Sequence, residues 1–241
     1  MLLELTLALT PILTSGEEVL GPPAVCHPFA IGDAPSLPWK AGAFGYDPEF
    51  PLDKLNPELA HLLNHQEDTL VQLEAVRRAV VYAVGFGRTK ELSLTERKLH
   101  TESLVSMLRG RVVAAELTEG KKDVERRVRA YFHLGYALAA IDQLDWDHEL
   151  GNQFGDGRDE LKPALQWSGV DAGMCLGAAL AMWISEPDDS IRDNLLLKAA
   201  KMAGPEGGLL TKNLVACGER FYGQDSYETL VKHLQKRVAA S

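Results

Sequence analysis

The sequence predicts a mainly α protein: a bundle-like body of about seven helices, preceded by a Pro-rich extended arm that contains one short β-strand. Three observations predict it. Nine of the twelve prolines lie in the first 57 residues and none lies between Glu58 and Lys162, so two kinds of chain meet near Pro57. Proline fixes φ and removes a backbone donor, which bars regular helices from the first part and leaves the second free to form them. The chain is also rich in leucine and alanine, both strong helix formers. Finally, Leu3 to Thr10 carries leucine at every second position, the period of a half-buried strand. The expected organisation is an arm over residues 1–55, with its strand near residues 2–10, and a helical domain over residues 56–241.

The arm comes first in the chain. Its strand ends at Pro11 and has no obvious partner, because Pro28 interrupts the nearest extended candidate, residues 24–31. An unpartnered strand edge invites pairing with another chain. From Gly32 to Pro57 the arm carries Trp39, Phe44, Tyr46 and Phe50, whereas a flexible linker is rich in Gly and Ser. These aromatics are expected to lie against the helical body or a neighbouring subunit.

Helix signals then follow in order. Asn56-Pro57-Glu58 combines an N-cap, a proline at the first helical position and an acid in the first turn, and predicts a helix to about Val84, stopped at Gly85 or Gly87. Ser93 and Glu96 form a capping box for a second helix, to about Leu117. A third is expected from Asp123 to about Trp146, followed by an acidic loop to Glu160. Ser168 to Asp171 opens a fourth that runs to about Ile184. A fifth starts at Asp188 or Asp189 and ends at Ala203 before Gly204 and Pro205, and a sixth spans about Glu206 to Tyr222. The last is capped at Asp225 to Glu228 and has the apolar stripe Tyr227, Leu230, Val231, Leu234 and Val238.

Composition excludes several classes of function. With 25 Lys plus Arg against 34 Asp plus Glu, the formal net charge is -9, so direct nucleic-acid binding is not expected. The longest uncharged helical run, Ala172 to Ile184, is too short to span a bilayer, so no membrane span is expected. Three widely spaced cysteines without a Cys-x-x-Cys pair fit reduced thiols, and the apolar start carries Glu4 and no preceding Lys or Arg. Both point to the cytoplasm.

Few residues suggest chemistry. Glu58, His61, His65 and Asp68 share one face of the first predicted helix, at the spacings by which helical metal sites place carboxylate and imidazole around one ion. With His148, or Asp145, from elsewhere, Glu58, His61 and His65 form the candidate metal set. That face points about 120° away from the leucine stripe, and no second Glu-x-x-His stands opposite it. Gly169, Gly173 and Gly177 recur every fourth residue, a small-residue ridge that lets another helix come close, either within the chain or at a subunit seam. No cofactor is indicated.

The function expected from these readings is that of a non-enzymatic interaction or assembly subunit of a larger complex of bacterial or phage type. It would contact a protein partner, or itself, through Leu3, Leu5 and Leu7 of the strand, Trp39, Phe44 and Tyr46 of the arm, and the ridge of Gly169, Gly173 and Gly177. The alternative is a metal-dependent helical-bundle enzyme built on the Glu/His cluster.

Overall fold

The computed structural model describes residues 23–40, 45–85, 92–118, 121–145, 149–150, 153–183 and 189–241. Ten α-helices lie in them: α1 (Pro23–Cys26), α2 (Leu55–His65), α3 (Thr69–Val84), α4 (Leu94–Glu116), α5 (Lys121–Leu144), α6 (Arg158–Gln166), α7 (Ala172–Ala181), α8 (Asp189–Ala203), α9 (Gly208–Tyr222) and α10 (Tyr227–Val238). Among the described residues there is no strand, only an isolated antiparallel bridge between Trp39 and Tyr46. The strand expected near residues 2–10 lies outside them. No helix among the described residues is long and apolar enough to cross a membrane.

Several helix boundaries follow from local chemistry. Ser93 and Glu96 close the capping box of α4, Asp171 caps α7 by accepting from Met174 N, and Ser226 with Thr229 caps α10. Gly85 ends α3 in the left-handed conformation, φ 69°, which glycine adopts without the steric cost of a Cβ. Ten helices replace the expected seven for three reasons. The helix expected over residues 56–84 is two, because Gln66 is extended and Asp68 starts α3 by accepting from Leu70 N and Val71 N. The helix α6 begins at the end of the acidic loop expected to Glu160 and continues, its Pro163 notwithstanding, through residues for which no helix was expected; Leu161 and Ala164 bury against α5, where Gly135 and Gly157 let the two backbones meet. The third addition is α1.

All ten residues of α7 are buried, and the helix touches α1, α3, α5, α6, α8 and α9. The glycine ridge explains the close approach. A Cβ on Gly173 would lie 3.1 Å from Thr69, one on Gly177 would lie 2.7 Å from Leu73 Cδ1 and 3.3 Å from Phe132, and Gly169, at φ 98°, faces Glu125. Gly173 and Gly177 are therefore covered by the chain's own α3 and α5, whereas Gly169 stands exposed in the turn before α7.

The second half of the expected arm is also core. Ala24, Val25, Phe29, Ile31 and Leu37 are buried with the helices in one apolar cluster, and Cys26 is buried as well. Beyond the single turn of α1, where His27 N donates to Pro23 O, such a segment must satisfy its main chain by other means, since an unpaired buried amide or carbonyl is costly. Side chains from the helices do this. Gln143 accepts from Ala24 N at 2.8 Å while donating to the carbonyls of Leu180 and Ala181. Tyr136 donates to Ala24 O, Arg77 to Val25 O, and Arg220 to Cys26 O. Glu74 accepts from Phe29 N, and Asn213 both accepts from and donates to the main chain of Ala30. Arg77 and Glu74, 0% and 1% exposed, form an ion pair at 2.8 Å, and Arg78 adds a second guanidinium at 2.7 Å.

The aromatics follow the same course. Trp39 lies over Arg77 and Arg78, and Trp39, Tyr46 and Phe50 surround Tyr82, whose hydroxyl donates to Pro38 O and accepts from Asp47 N. Their dock is α3 of their own chain. Phe44, Leu3, Leu5 and Leu7 lie outside the described residues.

Candidate anion-binding cleft

A cleft of about 890 Å³ opens where the corner between α2 and α3 meets α4 and α5. It is lined by Leu63, Asn64 and Glu67 from the corner, Gln72 from α3, Arg111 from α4, and Glu125, Arg126, Arg129 and His133 from α5. Residues 126, 129 and 133, spaced three and four apart, share one face of α5.

Two of the three arginines are anchored by neutral groups. Arg111 donates to Asn64 Oδ1 at 2.8 Å and to Leu63 O at 3.4 Å, and Arg129 to Glu67 O and Gln72 Oε1, both at 2.9 Å. Arg126 is exposed and has no hydrogen-bond or ion-pair partner among the described residues. Carbonyls and amides hold a guanidinium in place without cancelling its charge. Arg111 is pulled below its ordinary pKa, first by burial and then by Arg126, so the two cations sense one another.

Gln72 fixes the state of His133. Its Nε2 donates to Gln66 O and Leu63 O, so its Oε1 is the end that accepts from Arg129 and from His133 Nε2, at 3.2 Å. The imidazole therefore carries its proton on Nε2 and a lone pair on Nδ1, which has no partner among the described residues. Burial, with Arg111 and Arg129 behind it, pulls His133 down to about 3, which keeps the ring neutral.

The other expected site residues lie elsewhere. Glu58, His61 and His65 are brought together on an exposed face of α2, where the two imidazoles stack at 4.2 Å and His65 Nδ1 meets His61 O at 2.8 Å. Asp68 is spent as a helix cap and His148 lies outside the described residues. Among the described residues no three His, Cys, Asp or Glu side chains are grouped to hold a metal ion. Asp145 accepts from Leu150 N, Glu149 pairs with Arg97, and Asp156 pairs with Arg158, so the acidic loop spends these carboxylates on its own chain. All three cysteines are buried, which raises Cys26, takes Cys175 to about 11 and takes Cys217 to about 12, so none is an activated thiolate at neutral pH.

None of the cleft residues was singled out from the sequence. The available signal was the spacing of Arg126, Arg129 and His133, three nitrogen bases on one face of a helix. Compared with protein-family models, curated proteins and solved structures, the chain matches none.

Proposed function

We propose that this chain is a non-enzymatic binding protein whose working surface is the arginine cleft, and that the cleft takes an anionic ligand. The observation that carries this reading is the convergence of Arg111, Arg126 and Arg129 on one cleft with no carboxylate paired to any of them among the described residues. Guanidiniums fixed by neutral acceptors are preorganised for an external anion. The test is thermal unfolding in phosphate, sulfate or citrate against chloride at matched ionic strength. The melting temperature should rise with the oxyanions, and the rise should vanish in an Arg111→Gln, Arg126→Gln double variant. A rise no larger than that in chloride would refute the reading.

Assembly is the second reading, favoured by the outer face of α4. Leu99, Val113 and Leu117 are 62%, 54% and 80% exposed and share that face with Ser103, Ser106 and Gly110. In an antiparallel pairing of two copies centred on Leu108, Leu99 stands opposite Leu117, Ser103 opposite Val113, and Ser106 opposite Gly110. A twofold contact requires this kind of self-complementarity. Residues 1–22, with Leu3, Leu5 and Leu7, offer the other expected contact. Sedimentation of the full chain, of a chain lacking residues 1–22, and of Leu99→Lys separates the two contacts. A full-length protein that stays monomeric at high concentration ends the self-assembly reading.

A further inference from the structure

We infer that the ligand of the cleft is a small phosphomonoester with a hydroxyl-bearing body, its phosphate seated between Arg111 of α4 and Arg126 and Arg129 of α5. This rests on the reading of the cleft as an anion site and narrows it to a ligand class.

Charge is the first argument. Three guanidiniums face this seat, with two carboxylates, Glu67 and Glu125, at its rim; a phosphomonoester, with close to two negative charges at neutral pH, can offer an oxygen to each guanidinium, which a single carboxylate cannot do. Geometry is the second. The cations stand on two helices, so they approach from different sides, and a tetrahedral group with three free oxygens offers acceptors in several directions. The two oxygens of a carboxylate lie in one plane and suit a single guanidinium fork.

Size and the remaining lining set the body. About 890 Å³ lies in the range of sites for whole organic ligands, far beyond a bare phosphate. Glu67 and Glu125 border the same cleft and form no ion pair among the described residues, so they stand ready to accept from hydroxyl groups. They also repel a polyanion, as does the net charge of -9, which separates a compact phosphate ester from nucleic acid.

His133 supplies an internal reporter. The charged groups around it are Arg111 from α4, Arg126 and Arg129 on its own helix, and Glu67 and Glu125 at the rim; Gln72 from α3 is neutral. A dianion placed among the arginines offsets the positive field that disfavours imidazolium, so the ring should protonate at higher pH when the ligand is bound.

The experiment is isothermal titration of the full-length protein with ribose 5-phosphate, ribose, inorganic phosphate and succinate at fixed ionic strength, paired with NMR titration of the His133 ring. Ribose 5-phosphate is expected to bind one to one, at least about tenfold more tightly than succinate or inorganic phosphate, with ribose silent. Arg126→Gln, an exposed position, should weaken it at least about tenfold without moving the melting temperature of the free protein, and the His133 titration should shift upward only with ribose 5-phosphate present. Succinate binding as tightly would overturn the ligand class and leave the anion reading standing. Inorganic phosphate binding as tightly would remove the hydroxyl-bearing body. No binding by any anion would overturn both readings, and tight binding unaffected by both Arg126→Gln and Arg111→Gln would place the phosphate outside this cleft.

Discussion

Two arginine-rich regions share α3 and α5 and use the same side chain in opposite ways. Around residues 24–37, Arg77 and Arg78 meet the carboxylate of Glu74 and also reach the carbonyls of Val25 and Leu37. In the cleft, Arg111 and Arg129 meet only neutral acceptors among the described residues and Arg126 meets none of them. Where a carboxylate closes the circuit, the charge is spent on holding the fold. Where none of the described residues does so, the guanidiniums are held in place with their charge uncancelled.

Breaking the first region should have the largest effect. Arg77→Ala leaves Glu74 buried beside a single remaining guanidinium and frees Val25 O, and is expected to cost about 3–5 kcal/mol in urea unfolding. A loss below about 1 kcal/mol would mean that residues 23–31 are not clamped as described.

Acid should sharpen the contrast next. His27 and His133 are held neutral, His27 at about 4 by burial first and then by Arg220, His133 at about 3. An unfolded imidazole protonates near 6.5, so between that value and the folded ones the unfolded state binds more protons. The stability these two residues contribute is complete above about pH 6.5 and is lost as pH falls toward 4 and then 3. His133→Gln should flatten the fall between pH 6 and 4 by about 1.4 kcal/mol per pH unit, and an unchanged slope would show that His133 is not held neutral. A phosphate ligand should flatten it in the wild type, by letting His133 keep a proton in the folded state.

The smallest effect belongs to the exposed arginine of the cleft. Arg126→Gln should change stability by no more than about 0.5 kcal/mol, because an exposed cation without a partner holds nothing together. A substantial loss would show that Arg126 is structural, and the comparison between the two regions would fail.

Much of the helical framework was legible from local chemistry. Ser93 with Glu96, Asp171, Gly85 and Gly204 signal starts and stops within one turn of where the chain makes them. The break at Gln66 to Asp68 was not legible, because the leucine stripe continues through it from Leu62 and Leu63 to Leu70 and Leu73, and only Gln72, folded back onto Leu63 O and Gln66 O, shows how the corner is held. Pro163 hid α6, whose burial against Gly135 outweighs the lost amide.

The sequence by itself determined that this is a helical chain with a proline-rich beginning, since helix caps and proline act through bonds a few residues long. Whether residues 23–39 were arm or core was decided only in three dimensions, because Glu74, Gln143 and Asn213, which satisfy that segment's main chain, stand 45 to 183 residues away along the chain. The cleft was decided there too. A lone arginine on a helix reads as a solvated charge, and only the packing of α4 against α5 reveals that three of them converge with no carboxylate paired to them among the described residues.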